Sequence, residues 1–346
     1  MIAWLRHRLL HSLSIATFGV AIAGGAAAQG SGSATLDAVR ARGQLLCGTS
    51  GTIPGFALPD SAGVMRGLDA DSCRAIAAAA LGDATKVRFV LTSTQTRFTA
   101  LQSGEIDVLL RNTGWSLTRE GNLGLAFASV NFWDGAAFMV KASAGLKSAK
   151  ELDGATVCVL PGTSTELIVA DWFRANGMRF SPVLIDGNTE IQRAFLAGRC
   201  DAYVTDGSQL AGFRFQQGPR AADLTILPER ISSEPSGAVV RKGDDKWFDL
   251  VRWTHFALVS AEQEGVGSGD VAGLGAATNP DVRRLLGLES NLGSALGVGP
   301  RWAAQAIEQV GNYGEMYTRN ILLLGIERGQ NALWTKGGLQ FTPPLR

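Results

Sequence analysis

The sequence is poor in the side chains that enzymes most often use for acid–base and metal chemistry. It has only three histidines in 346 residues, and two of them, His7 and His11, lie in the N-terminal segment. The third, His255, lies in the helical pattern FDLVRWTHFALVSA, so we expect it to pack in a core and take no part in catalysis. The motifs G-x-S-x-G, H-E-x-x-H and G-x-x-x-x-G-K-[ST] are absent. Nucleophilic, zinc and nucleotide chemistry therefore lack their usual parts.

The charge balance gives no sign of nucleic-acid binding. Lys and Arg number 32, Asp and Glu number 31, and charged residues make up 18% of the composition. A protein that binds nucleic acid through its phosphates carries a basic excess or a basic patch. With 43 glycines in 346 residues, the composition indicates a globular protein that is long enough for two domains.

The N-terminus has the three parts of a secretory signal peptide. Arg6 and Arg8 precede an apolar run that ends in Ala26-Ala27-Ala28. This order predicts a signal peptide over residues 1–28, removed by cleavage after Ala28. An uncleaved membrane anchor is the alternative, because the run from Leu9 to Ala28 is close to the ~20 residues that span a bilayer. The polar residues inside the run and the small-residue exit favour cleavage.

All four cysteines follow the predicted cleavage point, and an even number in an exported chain favours disulfides. The sequence has no C-x-x-C pair, which a zinc site or a thioredoxin motif would supply. Cys47 and Cys73 lie in the first half, and Cys158 and Cys200 lie in the second. Four cysteines allow three pairings. We predict one bridge within each half, Cys47–Cys73 and Cys158–Cys200.

Two distant stretches share one pattern. RFTALQSGEIDVLLRNT (97–113) and QRAFLAGRCDAYVTDGSQ (192–209) both read as a helix, a glycine, two residues, an aspartate and a short apolar strand. The glycines, Gly104 and Gly198, suit the left-handed residue that ends a helix. Each half also opens with a strand-like run followed by a helix, and such alternation indicates βαβ units and parallel sheets.

The predicted fold class is α/β, with two lobes that each hold a mostly parallel sheet flanked by helices. The segments AAFMVKASAGLKSAKELDGATVCVL and SSEPSGAVVRKGDDKWF provide two hinge crossings. We assign residues 34–140 and 235–346 to lobe 1, including a C-terminal extension, and residues 141–234 to lobe 2. In such sheets ligands sit beyond the carboxyl ends of the strands, which predicts a site in the cleft between the lobes.

Three adjacent hydroxyl residues stand at a strand-to-helix turn in VCVLPGTSTELIVADWF. Thr163 and Glu166 form a capping-box pattern, in which each side chain accepts a hydrogen bond from the backbone N–H of the other. A glycine-led helix start with free N–H groups is also a binding place for a carboxylate or a phosphate. The two interpretations are compatible, because Ser164 and Thr165 remain available to face the cleft.

Two charged residues complement this helix start. Arg119 follows the hydroxyl-rich turn of RNTGWSLTREG, and Asp206 ends the apolar strand AYVTD. A guanidinium grips a carboxylate through two hydrogen bonds, and a carboxylate at the end of a buried strand needs a partner. Taken alone, Arg119 is equally consistent with a surface salt bridge. Together the residues indicate a site for the two charges of an α-amino acid.

At these residues the sequence resembles the periplasmic solute-binding proteins of polar amino-acid ABC transporters, and specifically their general L-amino-acid-binding branch. The resemblance covers Ala34 to Arg346 and implies a type II periplasmic-binding-protein fold. Its markers are GLDADSCRAIAAA, RFTALQSGEIDVLLRNTGWSLTRE, LAFASVNFWDG, PGTSTE, GRCDAYVTD, GNYGEMYTRN and NALWTKGG.

The resemblance implies a role for each candidate residue. Arg119 is expected to bind the ligand α-carboxylate, Asp206 the α-ammonium, and Arg97 an acidic side chain, as in aspartate- and glutamate-binding relatives. Hydroxyl and backbone groups are expected from two turns, at Asn112, Thr113 and Ser116 in lobe 1 and at Thr163, Ser164 and Thr165 in lobe 2. Relatives also stack an aromatic ring near the first loop, GTSGTIPGF. Phe56 is the nearest aromatic residue there, although Ile53 stands at the better-matching position.

The resemblance implies a monomeric periplasmic protein without metal or cofactor. It is expected to bind L-amino acids with broad specificity and to deliver them to the permease subunits of an ABC transporter in the inner membrane. One alternative is an enzyme, because cyclohexadienyl and arogenate dehydratases resemble these binding proteins; the second charge-binding aspartate argues against it. The other alternative is the ligand-sensing module of a receptor, which the absence of a transmembrane or signalling segment before PPLR disfavours.

Overall fold

The structure is a computed structural model that describes residues 30–346. The predicted signal peptide, residues 1–28, and the cleavage point after Ala28 lie outside the described residues. No helix within residues 30–346 combines the length and the apolar character needed to cross a membrane.

Strands and helices alternate along most of the described chain. The strands are β1 (Leu45–Thr49), β2 (Leu58–Pro59), β3 (Met65–Arg66), β4 (Val87–Leu91), β5 (Val108–Leu109), β6 (Leu125–Phe127), β7 (Phe132–Asp134), β8 (Ala136–Lys141), β9 (Thr156–Val159), β10 (Ser181–Leu184), β11 (Ala202–Asp206), β12 (Leu224–Ile226), β13 (Glu234–Ser236) and β14 (Val239–Arg241). The α-helices are α1 (Ala34–Arg42), α2 (Leu68–Leu81), α3 (Arg97–Ser103), α4 (Leu117–Asn122), α5 (Ser164–Ala175), α6 (Asn188–Leu196), α7 (Gly207–Gln216), α8 (Asp245–Gln263), α9 (Pro280–Leu285), α10 (Trp302–Val310) and α11 (Tyr313–Asn320).

The first sheet has the strand order β4-β1-β5-β14-β6. β1 pairs in parallel with β4 and β5, whereas β14 runs antiparallel to β5 and β6. Successive side chains of a strand point to opposite faces. Val108 and Val240 accordingly join the large core cluster on one face, and Leu109 and Val239 join a smaller cluster on the other.

The second sheet repeats this plan with the order β10-β9-β11-β8-β12. β9 pairs in parallel with β10 and β11, and β8 runs antiparallel to β11 and β12. Cys158 and Tyr203 pack in a cluster on one face, while Val157 and Val204 pack in a cluster on the other. The predicted α/β fold with two lobes is confirmed.

The repeated glycine and aspartate have the same structural roles in both halves. Gly104 (φ +80°) and Gly198 (φ +77°) take the left-handed conformation after α3 and α6. The Asp107 carboxylate accepts a hydrogen bond from the backbone N–H of Leu46 at 2.8 Å. Asp201 accepts one from the N–H of Thr156, also at 2.8 Å. Each aspartate lies just before the third strand of a βαβαβ unit and therefore ties that strand to the first one.

Two short strands carry the chain between the lobes. β7 and β13 pair antiparallel, with Asp134 opposite Glu234 and Phe132 opposite Ser236. β8 follows β7 after a single residue and pairs along most of its length with β11 of the second sheet. The first crossing therefore lies at β7, before residue 136, whereas the sequence placed the end of lobe 1 at residue 140.

The chain after α8 packs on the helices of the first lobe. Trp302 and Ile307 of α10 and Tyr317 of α11 belong to the same buried cluster as Ile76 of α2 and Trp247 of α8. Short 3-10 helices at Leu322–Leu324, Gly329–Asn331 and Trp334–Lys336 complete this C-terminal extension. The extension enlarges the apolar core of the first lobe.

The extension also holds one of the two crossing strands. The Asn331 side chain accepts a hydrogen bond from the Trp133 N–H at 2.7 Å and donates one to the Trp133 carbonyl at 3.0 Å. The Tyr313 hydroxyl donates to the carbonyl of Asn131 at 2.8 Å, just before β7. β7 is thus anchored on both sides of Phe132 by residues of the extension.

His255 has the packing role that the sequence predicts. It is buried in α8, and its Nε2 lies 3.1 Å from the Gln340 side-chain oxygen. Burial lowers the pKa of His255 to about 4, so the ring is neutral near pH 7.

Both predicted disulfides are present. Cys47 of β1 is bonded to Cys73 of α2, and Cys158 of β9 is bonded to Cys200, just before β11. The Cα–Cα distances are 6.1 and 5.6 Å, which lie in the usual range for disulfides. Each bridge lies within one lobe.

Replacing Cys158 and Cys200 together by serine is expected to lower the free energy of unfolding. The loss should be about 4 kcal/mol, because the 42-residue separation no longer restricts the unfolded chain. Urea unfolding followed by circular dichroism measures it. The matched control is the Cys47→Ser/Cys73→Ser variant, whose 26-residue separation predicts a slightly smaller loss. An unchanged urea midpoint in the Cys158→Ser/Cys200→Ser variant would contradict the expectation.

Candidate functional site

A cavity lies between the two lobes, beyond the carboxyl ends of β1, β4, β5, β9 and β11. Its walls come from both lobes and from the crossing strand β13. The lining residues are Ile53, Thr94, Arg97, Arg111, Asn112, Gly114, Arg119, Leu160, Thr163, Ser164, Thr165, Asn188, Thr205, Asp206, Gln209 and Glu234. The cavity has the position that the sequence predicts for a ligand site.

The turn after β5 is held in a strained conformation by a buried carboxylate. Asn112 has a φ of +41°, which side-chain-bearing residues rarely adopt. The Asp69 carboxylate accepts hydrogen bonds from the Asn112 N–H at 3.0 Å and from the Asn131 side chain at 2.9 Å. Burial raises the pKa of Asp69, and these hydrogen bonds oppose the rise. Asp69 therefore fixes the conformation of the turn from the side of the first-lobe core.

The same turn is hydrogen-bonded to the hinge. The Trp115 N–H donates to the Pro235 carbonyl at 2.7 Å, and the Gly237 N–H donates to the Thr113 carbonyl at 3.3 Å. Gly114 forms an isolated antiparallel bridge with Ser236. Because β13 carries the chain between the lobes, these hydrogen bonds connect the turn directly to the hinge.

Three buried guanidinium groups line the first-lobe wall. Arg119 donates to the Gly114 carbonyl at 2.7 Å, and Arg111 donates to the Thr92 carbonyl at 3.0 Å. Arg97 lies over the Phe98 ring at 4.7 Å, and its Nε has no hydrogen-bond partner among residues 30–346. A buried donor without a partner is costly, and this nitrogen remains available for a further hydrogen bond.

The three arginines are close enough to affect one another. Burial, followed by repulsion from Arg111 and Arg119, lowers the pKa of Arg97 well below its usual range. Burial lowers the pKa of Arg111 to about 10, with attraction to Asp69 and Asp206 opposing the shift. Burial also lowers the pKa of Arg119, against the attraction of Glu234 and Asp206. The first-lobe wall is therefore strongly electropositive.

The second-lobe wall contains the start of α5. The Thr163 hydroxyl accepts a hydrogen bond from the Glu166 N–H at 3.3 Å, as predicted for a helix cap. The Glu166 carboxylate accepts from the N–H of Gly162 at 2.9 Å, one residue before the partner that a capping box would use. The predicted capping box is therefore half formed, because Gly162 turns its own N–H toward Glu166. The first-turn N–H groups of the helix have no partner within the helix.

Two acidic side chains also face the cavity. Asp206, at the end of β11, accepts a hydrogen bond from Gln209 at 2.6 Å. Burial, together with the nearby Glu234 and Asp134 carboxylates, raises the pKa of Asp206 well above its usual range. Glu234, on β13, is 7% exposed. The cavity thus holds buried groups of both charges, with the cations on one lobe.

The lobes touch each other around the cavity. The Asn188 side chain, at the start of α6, donates a hydrogen bond to the Thr52 hydroxyl at 3.1 Å. The Gln95 side chain donates to the Pro161 carbonyl at 3.2 Å. These contacts join the loops of opposite lobes, so the structure has the closed arrangement.

Seven of the ten predicted ligand residues line this cavity. They are Arg97, Asn112, Arg119, Thr163, Ser164, Thr165 and Asp206. Thr113 is fully buried and donates to the Arg111 carbonyl at 3.2 Å, and the Ser116 hydroxyl accepts from the Arg119 N–H at 3.4 Å. Both hydroxyls shape the turn and do not line the cavity.

The aromatic candidate Phe56 lies away from the cavity. It is 1% exposed in the first-lobe core, where its ring packs edge-on against Phe132 at 5.0 Å. Ile53, the alternative position, lines the cavity. The correction follows from the loop's path, because Phe56 pairs its backbone with the start of α2 and turns its ring inward.

The sequence analysis missed six polar residues that line the cavity, namely Thr94, Arg111, Asn188, Thr205, Gln209 and Glu234. Arg111 follows a buried strand, as Asp206 ends one, so the reasoning applied to Asp206 could have found it. Asn188 follows Gly187 at a helix start, a signal of the same kind as Gly162-Thr163. Glu234 carried no such signal, because its position depends on the pairing of β7 with β13.

A larger cavity, of about 1080 Å³, lies elsewhere. It is bounded by residues 323–331 of the extension and by α7, and Asp134 lies among its lining residues. None of the predicted ligand residues lines it. Converging polar groups mark a binding site more specifically than volume does, so the interlobe cavity remains the candidate. No group of three or more His, Cys, Asp or Glu side chains in residues 30–346 is arranged to hold a metal ion.

Known proteins are similar to this chain over most of its length. The family model of the bacterial extracellular solute-binding proteins, family 3, matches residues 45–265. The chain is 51% identical over 318 residues to the glutamate/glutamine/aspartate/asparagine-binding protein BztA of Rhodobacter capsulatus, covering 91% of this chain and 94% of that protein. It is 46% identical over 339 residues to the general L-amino acid-binding periplasmic protein AapJ of Rhizobium johnstonii, covering 96% and 98%.

A solved structure supports the fold independently. An ABC transporter periplasmic binding protein from Brucella ovis with glutathione bound superposes with a TM-score of 0.88 at 48% identity. The match covers 90% of this chain and 99% of that one. The match therefore includes most of the C-terminal extension as well as the two lobes.

Asp134 predicts a pH dependence of stability. Its carboxylate accepts hydrogen bonds from the Gly135 and Ser208 N–H groups, and burial raises its pKa to about 6 from the usual 3.8. The folded chain keeps this proton to a higher pH than the unfolded chain, so the stability it contributes is present at low pH and is lost as pH rises through 6. The free energy of unfolding of the wild type relative to Asp134→Asn should fall by roughly 3 kcal/mol between pH 4 and 7.

Urea unfolding at several pH values measures this difference. Asp83→Asn is the control, because hydrogen bonds from Thr85 lower the pKa of the exposed Asp83 carboxyl. The wild type should gain stability relative to Asp83→Asn as pH rises, which is the opposite trend. A constant difference between the wild type and Asp134→Asn across this range would show that Asp134 ionises normally.

Proposed function

The chain belongs to family 3 of the bacterial extracellular solute-binding proteins, and from this premise we propose that it captures L-amino acids between its lobes and delivers them to an ABC transporter permease. The observation that carries the proposal is the position of Arg119 and Asp206, which line one closed cavity from opposite lobes. An α-amino acid is the small molecule whose two charges match that pair.

The ligand carboxylate is assigned to the first-lobe arginine and the second-lobe helix. Arg119 offers a guanidinium that can bond both oxygens. The Ser164 and Thr165 hydroxyls and the first-turn N–H groups of α5 add donors from the opposite side. Thr113 and Ser116 support this contact by shaping the turn that positions Arg119.

The ligand ammonium is assigned to Asp206. An ammonium group stabilises the ionised carboxylate, which burial alone disfavours. The unpartnered Oδ1 of Asn112 lies in the same cavity and can accept a further hydrogen bond. The ligand thus connects a cation on lobe 1 with an anion on lobe 2.

Closure follows from contacts that exist only when both lobes hold the ligand. The desolvated charges of the cavity interact more strongly once water is excluded. The contacts of Asn188 with Thr52 and of Gln95 with Pro161 then close the rim. The permease of the inner membrane would receive this closed form, carried by a monomer in the periplasm after removal of residues 1–28.

The remaining arginines face the ligand side chain in this proposal. Arg97 and Arg111 line the same cavity as Arg119, and Arg97 keeps an unpartnered Nε. Two cations there favour acidic or amide side chains, which agrees with the four amino acids in the name of BztA. AapJ carries the name of a general L-amino acid-binding protein, and such breadth requires space for other side chains as well.

The enzyme alternative receives no support. The relatives are named as binding proteins of amino-acid transporters, and the matched family is one of solute-binding proteins. A dehydratase acting on prephenate or arogenate would require an acid placed over a ring, and the acids in this cavity face the arginine wall.

Isothermal titration calorimetry with a panel of L-amino acids tests the proposal. The protein should first be unfolded, dialysed and refolded so that bound ligand is removed. We expect saturable binding of several L-amino acids. Arg119→Lys should weaken it by roughly 10- to 100-fold, because a lysine cannot form the paired hydrogen bonds.

Arg66→Lys provides the matched control, because Arg66 forms a surface salt bridge with Asp60. It should bind as the wild type does. The proposal fails if no L-amino acid produces heat or a thermal shift at millimolar concentration. Equal affinities of the wild type and Arg119→Lys would remove the assigned role of Arg119.

Arg97→Gln tests the side-chain assignment separately. It should weaken the binding of L-glutamate by roughly 10-fold more than that of L-glutamine, since only the former offers a charged partner. Competition titrations with both ligands measure the ratio. An equal loss for the two ligands would assign Arg97 to a part of the ligand that they share.

A further inference from the structure

Two carboxylates face the cavity, although a single ammonium group needs only one counter-charge. Asp206 ends β11, and Glu234 lies on the crossing strand β13. Both are buried, with 8% and 7% exposure. Neither forms a salt bridge within residues 30–346. Arg119 attracts Glu234 without forming a salt bridge with it. A buried carboxylate that lacks a cation in contact is costly, so Glu234 calls for an explanation beyond hinge packing.

The surroundings of Gly114 locate the Glu234 carboxylate. An atom in the place of a Cβ on Gly114 would lie 3.8 Å from the Glu234 Oε1, 3.4 Å from the Arg119 Nη1 and 3.8 Å from the Ser164 Oγ. A carboxylate, a guanidinium and a hydroxyl from three separate segments therefore converge on one small volume. Glycine leaves that volume open.

The groups around this volume suit the α-carbon of an amino acid together with its carboxylate and its ammonium. A carboxylate placed near Arg119 and Ser164 leaves the attached carbon and its ammonium on the side of Glu234. Asp206 approaches from the second lobe. The nearby Glu234 carboxylate contributes to the raised pKa of Asp206. Two carboxylates close together are relieved by a cation between them.

We propose that Glu234 is a specificity-determining residue, which accepts the ligand ammonium jointly with Asp206 and rejects acids of the same shape that lack an ammonium. This inference rests on the proposed function and adds to it the group that separates amino acids from other carboxylic acids. Specificity of this kind depends on a repulsive element as much as on an attractive one.

The repulsion acts mainly on ligands without a cation. The three arginines, Arg97, Arg111 and Arg119, would attract any dicarboxylate into the cavity. Asp206 and Glu234 oppose such a ligand, because its entry leaves both carboxylates without a partner. Glutarate, which is glutamate without its amino group, should therefore bind poorly despite its two carboxylates.

The test compares amino acids with their des-amino analogues in the full chain. The pairs are L-glutamate with glutarate, L-glutamine with glutaramic acid and L-alanine with propionate. Calorimetry gives the affinity ratio of each pair. In Glu234→Gln the ratio should fall by roughly 10-fold or more, through weaker amino-acid binding and unchanged or stronger binding of the analogue.

Two further variants keep the test decisive. Glu234→Asp preserves the charge on a shorter side chain and should retain an intermediate ratio. Asp134→Asn neutralises the residue opposite Glu234 in the hinge pair, outside the interlobe cavity. It should change the ratio less than Glu234→Gln does.

The outcomes separate this inference from the proposed function. If the wild type binds no amino acid, the proposed function fails and the role of Glu234 fails with it. If the wild type binds amino acids but Glu234→Gln keeps the wild-type ratio, only the role of Glu234 is overturned. Equal weakening of an amino acid and its analogue in Glu234→Gln would assign Glu234 a structural role in the hinge and would likewise overturn the inference.

Discussion

The closed structure contains buried charges of both signs that form no salt bridges with one another. Arg97, Arg111 and Arg119 stand on one wall, and Asp206 and Glu234 stand on or near the other. Each group has lost most of its hydration, and desolvated charges are stable only when they are paired and hydrogen-bonded. A small molecule carrying both signs can pair with both sets at once. Closure of the lobes is therefore conditional on the chemistry of what lies between them.

Several residues shape the cavity although they are not themselves assigned to the ligand. Asp69 fixes the conformation of Asn112 from the core side, and Thr113 and Ser116 hold the following turn by local hydrogen bonds. The cap on Thr163 orients the first turn of α5. A charged group is useful for recognition only if its position is fixed before the ligand arrives, and these buried bonds supply that rigidity.

Local patterns predicted the two-lobe fold and seven of the residues that line the cavity, because the relevant signals were local. Gly104 and Gly198 end helices, each disulfide lies within one half, a hydroxyl-rich turn supplied Arg119 and a strand end supplied Asp206. Side-chain direction within an irregular loop was not predictable, and Phe56 points into the core for that reason. Glu234 was missed because its place depends on pairing between strands about 100 residues apart in sequence, which no single stretch encodes.

The two crossing strands are held by different parts of the molecule. Asn331 and Tyr313 fasten β7 to the C-terminal extension, whereas β13 is bonded to the turn that carries Arg119. β7 is therefore fixed to the first lobe, whereas β13 is connected to the turn next to the assigned ligand contacts. A change in the length of the extension would therefore act on β7 while every residue of the cavity stayed the same.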